Sequence, residues 1–135
     1  NPSTSLQVNS AFVAANLKER SHVLIDARSP DRFRGENETL DPVAGHIPGA
    51  LNRFFKDNLD AGGSFKNPDV LRAEFTALLG ERPPQTVVHQ CGSGVTACHN
   101  LLAMEVAALL GSRLYPGSWS EWVSDRSRPV AAGAL

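Results

Sequence analysis

The chain has 135 residues, of which 41% are hydrophobic and 20% charged, with a formal net charge of −1. This length suits one globular domain with its own core, and the near-neutral charge gives no support for a nucleic acid or an anionic membrane as partner. No apolar run approaches the roughly 18 to 20 residues that span a bilayer.

The predicted elements alternate between strands and helices along the chain. Short apolar runs, typical of strands buried on both faces, are separated by apolar residues at helical spacing. Asn9 or Ser10 caps the first helix, Pro68 opens a later one and Gly80 ends it. In chain order we predict a strand at 6–8, a helix at 11–17, a strand at 23–25, a helical turn at 30–34, a strand after the turn at 45–52, a helix at 69–79, a strand at 86–90, a helix at 97–110 ended by Gly111, a strand at 113–115 and a short helix around 119–124.

This alternation indicates an α/β fold, a parallel sheet of about five strands with helices on both faces. We expect one domain over residues 1–135, with loosely ordered tails at 1–5 and 127–135. Ligands of such sheets bind beyond the carboxyl ends of the strands. Asp26, Arg28 and Cys91 lie at or just past such ends, so the candidate chemistry collects at one edge of the sheet.

The start of the chain and its cysteine count bear on its setting. The chain begins at Asn1 without an initiator Met or a leader of basic and apolar residues, which favours one domain of a longer polypeptide. Its cysteines, Cys91 and Cys98, are fewer than a disulfide framework uses. We therefore expect reduced thiols and a cytoplasmic location.

Cys91 is the strongest candidate for a reactive side chain. It stands between the predicted strand at 86–90 and the predicted helix at 97–110, with Gly92 and Gly94 just behind it. Glycine lets successive backbone N–H groups turn toward one point, and the helix N-terminus adds a partial positive charge. This field favours thiolate over thiol, so we predict a nucleophile whose sulfur is open to solvent.

Three sequence blocks, in order and at plausible spacing, resemble the rhodanese family of sulfurtransferases. They are Asp26-Ala27-Arg28 followed by Arg32-Phe33-Arg34-Gly35, then Gly45-His46-Ile47-Pro48-Gly49-Ala50, then Cys91-Gly92-Ser93-Gly94-Val95-Thr96. A fourth block, residues 115–122, is similar to the end of the second domain of two-domain members. The cysteine loop resembles that of mercaptopyruvate sulfurtransferases more than that of thiosulfate sulfurtransferases.

The resemblance implies a rhodanese-like three-layer domain that moves a sulfane sulfur by double displacement. Cys91 would take sulfur from 3-mercaptopyruvate or thiosulfate, become a persulfide, and pass the sulfur to cyanide or a thiol. No cofactor would be needed, because the sulfur is carried on the protein. The implied partners are these small molecules and a second rhodanese-like domain or a thioredoxin-type reductant.

The resemblance also implies roles for the residues around Cys91. Ser93 would assist catalysis through its hydroxyl, and Arg32 would anchor the carboxylate or sulfonate of the donor. Backbone amides of Gly92, Gly94, Val95 and Thr96 would bind the sulfur, and the side chains of Asp26, Arg28 and His46 would brace the loops. The segment 36–44 lacks the further arginine that mercaptopyruvate enzymes show there, which leaves the donor open between mercaptopyruvate and thiosulfate.

Several side chains have two readings. Thr96 either caps the following helix or donates its hydroxyl to the loop. Cys98 is expected to pack in the core, and its alternative is a resolving thiol that pairs with oxidised Cys91.

The histidines and cysteines match no compact zinc spacing, so no metal is expected. Trp119 and Trp122, three residues apart, are expected to pack on the core.

Two other functions compete with sulfur transfer by an enzyme. The first is a persulfide relay, which would store sulfur on Cys91 and dock to a partner without rapid turnover. The second is a phosphatase or arsenate reductase of the same fold, which uses an arginine six residues after its cysteine. That position is Ala97 here, which disfavours the second alternative.

Overall fold

The computed structural model describes residues 7–36, 43–92 and 96–132. Within these ranges the strands are β1 (Val23–Asp26), β2 (Leu51–Asn52), β3 (Val87–Gln90) and β4 (Arg113–Leu114). The helices are α1 (Ser10–Glu19), α2 (Pro30–Arg34), α3 (Pro68–Leu79), α4 (Ala97–Val106) and α5 (Ser118–Ser124), with 3₁₀ turns at Phe55–Asn58 and Pro84–Thr86.

The helix starts follow from local sequence, as predicted. The Asn9 side chain accepts a hydrogen bond from the backbone N–H of Phe12 and caps α1 at its N-terminus. Asn67 caps α3 in the same way, and Pro68 occupies the first helical position, where a missing N–H costs nothing. These residues fix where α1 and α3 begin.

The strands form a parallel sheet in the order β2-β1-β3-β4. The sheet has four strands in the described ranges, one fewer than the about five expected for this fold class. Of the strand predicted at 6–8, Leu6 lies outside the described residues, and Gln7 forms only an isolated bridge to Leu114. The chain turns into the cap of α1 directly afterwards, which leaves no length for a strand.

Helices cover both faces of the sheet, which confirms the predicted layers. Side chains of one strand alternate between two faces. Leu24 and Val88 accordingly pack in a cluster with Val13 of α1 and the tryptophans of α5. Ile25 and Val87 face the other way, in a cluster with residues of α3 and α4 that includes Leu71, Phe75, Ala103 and Met104.

The end of α4 differs from the prediction of a helix to residue 110. The helix ends at Val106, and Ala108 takes the left-handed backbone conformation with a φ of 62°. The N–H of Leu109 then bonds the Met104 carbonyl, and Leu109 turns into the core with 8% of its surface exposed. Burial of this side chain, which a continuing helix would not allow, ends α4 early.

The C-terminal segment also differs from the prediction, which was a loosely ordered tail. Residues 127–132, expected to be a loose tail, are held by hydrogen bonds. Ala131 exchanges two backbone hydrogen bonds with His46, each 2.8 Å long, and the Trp122 indole N–H donates to the Pro129 carbonyl. The segment therefore closes over the turn that contains His46.

Candidate active site

Cys91 lies directly after β3, at the carboxyl edge of the sheet where the sequence places it. It is only 1% exposed and packs in a small cluster with Ala27 and Ala97, against which Phe55 and Leu114 also pack. The expectation of a sulfur open to solvent is therefore wrong for this structure. The reason is that the ends of β1 and β3 and the start of α4 converge here with small side chains, so the cysteine fills the gap between them.

The backbone at Cys91 is held by the first residues of α5. The Cys91 N–H donates to Ser118 Oγ over 3.0 Å. In return, the N–H groups of Trp119 and Ser120 donate to the carbonyls of Cys91 and Gly92, each over 2.8 Å. Since the C=O and N–H of a trans peptide point in opposite directions, the bond to the Cys91 carbonyl directs the Gly92 N–H away from α5.

Asp26 and Arg28 form a buried ion pair beside this site. Arg28 Nη2 lies 2.6 Å from Asp26 Oδ2, and both side chains are at most 1% exposed. The Arg28 guanidinium also donates to the Gly45 carbonyl over 2.7 Å and lies 4.8 Å from the centre of the Trp119 ring. These contacts of Arg28 join neighbouring loops, and the Asp26 carboxylate balances the charge of its guanidinium.

Arg32 extends from α2 to the cysteine loop. A methyl group placed on Gly92 would lie 3.4 Å from Nη2 and 3.6 Å from Nη1 of Arg32. Arg32 is partly exposed, whereas Arg28 is buried. The structure thus brings a planar, two-pronged cation beside the loop in which the sequence predicts an anion to bind.

His46 links the segment of Phe33 to the segment of Ala131. Its Nδ1 lies 2.6 Å from the Phe33 carbonyl, which can only accept, so Nδ1 carries the proton. The ring stacks on the Phe33 ring at 3.8 Å and 6°. Its backbone pairs with Ala131, and the residue is fully buried. The described contacts of His46 are therefore those of a residue that ties segments together.

The remaining positions of the cysteine loop have different outcomes. Ser93, Gly94 and Val95 lie outside the described residues, so their roles stay predictions. Thr96 occupies the N-cap position of α4, but its side chain makes no capping hydrogen bond. Its carbonyl accepts a hydrogen bond from the N–H of His99.

Cys98 is exposed, so its predicted place in the core is wrong. The helix α4 turns Ala97, Asn100, Ala103 and Met104 inward. Cys98 and Leu102, four residues apart, lie on the outer face, and Leu102 is 51% exposed. The thiol that the sequence assigns to packing is thus available to reagents in solution.

An amide cluster at the start of α4 was not foreseen from the sequence. Asn58 donates to Asn100 Oδ1 over 2.6 Å, and Asn100 donates to the Arg53 carbonyl over 2.8 Å. Both asparagines are fully buried. They join α4 to the 3₁₀ turn that carries Phe55, one wall of the cysteine cluster. Their partners are more than forty positions away, so no local pattern reveals them.

His89 and Gln90, the two residues before Cys91, are also fully buried. Neither ring nitrogen of His89 and neither amide atom of Gln90 has a hydrogen-bond partner in the described part of the chain. Burial lowers the pKa of His89 from 6.5 to about 3, because the charged imidazolium would lose its solvation. His89 is therefore neutral at physiological pH.

Among the residues that the structure describes, no three His, Cys, Asp or Glu side chains lie together as the ligands of a metal ion would. No helix in the same ranges is long and apolar enough to cross a membrane.

Comparison with known proteins identifies the family. The sequence model described as "Rhodanese-like domain" matches residues 10–125, which include β1, the Cys91 site and α5. The chain belongs to the rhodanese-like domain family. The rhodanese-like fold agrees with the parallel sheet covered on both faces by helices.

Two curated relatives and one solved structure show how far the likeness extends. The chain is 52% identical over 132 residues to the "Probable 3-mercaptopyruvate sulfurtransferase" of Pseudomonas aeruginosa, a match that covers 98% of this chain and 46% of that protein. It is 37% identical over 113 residues to the thiosulfate sulfurtransferase of Mus musculus, covering 82% and 38%. The crystal structure of Tum1 from Saccharomyces cerevisiae superposes with a TM-score of 0.78 at 27% identity, covering 97% and 47%.

The chain therefore spans about half the length, or less, of the curated relatives that it matches. Their names include both donors that the sequence analysis leaves open, 3-mercaptopyruvate and thiosulfate.

Proposed function

We propose that this rhodanese-like domain is a sulfurtransferase that works through Cys91. It takes sulfur from 3-mercaptopyruvate or thiosulfate and passes it to a thiophilic acceptor such as cyanide or a thiol. The observation that carries this proposal is the position of the Arg32 guanidinium against Gly92, next to a cysteine at the end of a parallel strand. Relatives named for both donors support it.

With thiosulfate, the Cys91 thiolate attacks the sulfane sulfur. A bond forms between Sγ and that sulfur, the sulfur–sulfur bond of thiosulfate breaks, and sulfite leaves with the electron pair. Cyanide then attacks the outer sulfur of the persulfide, which gives thiocyanate and returns the Cys91 thiolate. With 3-mercaptopyruvate, a carbon–sulfur bond breaks instead, and the carbon takes up a proton to give pyruvate.

Arg32 suits the anionic end of either donor. Both donors carry an oxyanion group, which a guanidinium binds with two parallel N–H donors. Arg28 is committed to Asp26 in a buried pair, whereas Arg32 reaches the loop from a partly exposed position. Arg32 is therefore the better anchor for the donor in this proposal.

The burial of Cys91 makes loading with sulfur the first test. We expect the chain incubated with thiosulfate or 3-mercaptopyruvate to gain the mass of one sulfur atom, reversed by cyanide. Cys91→Ser should gain none, and Cys98→Ser should load like wild type because that thiol is exposed on the outer face of α4. Loading that persists in Cys91→Ser would refute the proposal.

The anchor role has a matched control on the same helix. Arg32→Ala should raise the donor KM by about tenfold with a smaller change in kcat, because a charge-assisted hydrogen-bond pair to the donor is lost. Arg34→Ala removes a second guanidinium of α2, which pairs with exposed Glu36, and should leave KM unchanged. Equal effects of the two substitutions would remove the assignment to Arg32.

The relay alternative separates from the enzyme by rate. A relay would load Cys91 once but transfer slowly to cyanide. Measuring both the single loading and the steady-state turnover therefore distinguishes a relay from an enzyme.

A second rhodanese-like domain or a thioredoxin-type reductant as partner stays a proposal. A reducing, cytoplasmic location is likewise proposed, and it is supported by the absence of a disulfide at Cys91 and Cys98.

A further inference from the structure

We propose that Ser118 is a positioning residue for the nucleophile: its hydroxyl fixes the backbone at Cys91 and thereby raises the share of thiolate. The inference rests on the proposed function only in taking Cys91 as the nucleophile. The residues 115–122, which the resemblance singles out as a block, otherwise have no part in the proposed chemistry.

The Ser118 hydroxyl uses its bonding capacity on two backbone groups. It accepts from the Cys91 N–H over 3.0 Å and donates to the Tyr115 carbonyl over 2.9 Å. Ser118 is fully buried, so water does not replace these partners. Each lost bond would leave a buried polar group unpaired.

The backbone of Ser118 is held in a conformation that side chains disfavour. Its φ is 54°, in the left-handed region where glycine is the usual residue. Glycine stands at the preceding position, Gly117, and not at this one. A serine in this conformation indicates that the hydroxyl does something a glycine could not do.

Trp119 and Ser120, the two residues after Ser118, also hold the start of the loop. The N–H groups of Trp119 and Ser120 hold the carbonyls of Cys91 and Gly92. Since these carbonyls point toward α5, planarity of the first peptide sends the Gly92 N–H to the opposite side. In this proposal the Gly92 N–H, so directed, is a donor that stabilises a negative sulfur.

The clamp formed by Ser118, Trp119 and Ser120 is itself anchored. Ser10 of α1 hydrogen-bonds both the Tyr115 hydroxyl and Glu121 Oε1. A methyl on Gly117 would lie 2.7 Å from the Glu121 Cβ, so glycine is needed for this close approach. The clamp is thus fixed before any donor arrives, as preorganised stabilisation of a charge requires.

Removal of the Ser118 hydroxyl should therefore alter the chemistry of the thiol as well as the stability of the fold. The Cys91 N–H would lose its acceptor, and the start of the loop could turn toward another one. The Gly92 N–H would then be held less firmly in its present direction. A residue with a purely structural role would change stability and leave the ionisation of Cys91 as it was.

The test titrates the thiolate by its ultraviolet absorbance, in a Cys98→Ser background so that Cys91 is the thiol observed. This readout needs neither access of a reagent to Sγ nor a sulfur donor. We expect Ser118→Ala to move the midpoint upward by about one pH unit, which is about tenfold less thiolate well below the midpoint, as for one misaligned hydrogen bond to a charge. The kcat/KM for the donor should fall by a similar factor.

Ser112→Ala is the matched control. It also deletes one buried hydroxyl, and that hydroxyl has no hydrogen-bond partner among the described residues. We expect its titration to match that of the parent. If Ser118→Ala does not fold, Ser118→Gly removes the same hydroxyl and suits the positive φ.

An unshifted midpoint in a folded Ser118 variant would overturn the inference, as would an equal shift in Ser112→Ala. Neither result bears on whether Cys91 loads with sulfur. Conversely, a chain that shows the shift but never accepts sulfur would refute the proposed function and leave the role of Ser118 standing.

Discussion

The ring of His89, which is buried and has no hydrogen-bond partner among the described residues, predicts how the stability of the domain depends on pH. Burial depresses the pKa of this imidazole from 6.5 to about 3 in the folded chain. In the unfolded chain the ring titrates near its ordinary value. Between these two values the unfolded state binds one proton more than the folded state, so stability falls as the pH falls.

The magnitude follows from the two pKa values. Relative to pH 7, linkage through His89 should remove about 0.7 kcal/mol of unfolding free energy at pH 6 and about 2 kcal/mol at pH 5. Above about pH 8 the ring is neutral in both states, and the term vanishes. The loss would be a substantial part of the 5–15 kcal/mol that typically stabilises a domain, so urea unfolding can measure it.

The substitution His89→Leu isolates this term. The variant should lose about 2 kcal/mol less than wild type between pH 7 and pH 5. It should be at least as stable at pH 7, because it removes two buried nitrogens that have no partner in the described ranges. His22 and His99 also have pKa values lowered, mainly by burial, and contribute a slope of the same sign. His22→Ala, at a partly exposed site, should keep most of the wild-type slope. Parallel curves for wild type and His89→Leu would refute the reasoning.

Three further substitutions test packing and charge. Gly117→Ala should cost about 2 kcal/mol or more in urea unfolding, because its methyl would overlap Glu121, and an unchanged midpoint would contradict the close approach. Arg28→Lys should cost about 2 to 4 kcal/mol, since an ammonium cannot reproduce the forked contact with buried Asp26; a loss below about 0.5 kcal/mol would show that the pair does not hold the fold. Cys98→Ser should stay within about 0.5 kcal/mol of wild type and remove one fast-reacting thiol in a thiol titration, and a large loss would mean that Cys98 is packed after all.

The parts of the fold that the sequence predicted are those determined by neighbours in the chain. The apolar residues of β1 and β3 indicate strands covered on both faces, and the structure buries all four residues of each. Asn9 and Pro68 mark helix starts through contacts within one turn. The place of Cys91 followed in the same way, from a strand that runs into a glycine-containing loop.

The rotation and the length of α4 were not predictable because its sequence has no polar face. Apolar residues occupy most positions on every side of the helix, so periodicity does not show which side faces the sheet. Cys98 and Leu102 consequently face out where packing was expected. The early end depends on Leu109 finding a place in the core, which is a property of the assembled fold.

The contacts that shape the site join distant positions. Ser118 meets Cys91 across 27 residues, and Arg32 meets Gly92 across a still longer separation. No spacing rule connects such pairs, and only the resemblance placed both segments in one site. The burial of Cys91 was missed for the same reason, since the sequence at the loop does not show what packs over it.

The pairing of His46 with Ala131 means that the folded structure extends further along the chain than the family match. The family match stops at residue 125, yet both backbone partners of this buried histidine are supplied beyond it. Gly45, next to it, approaches that segment so closely that a methyl would lie 2.8 Å from Val130 Cγ1. A fragment that ended at residue 125 would keep every sequence block that identifies the family. It would lose the backbone partners of His46 and expose the stacked ring of this histidine.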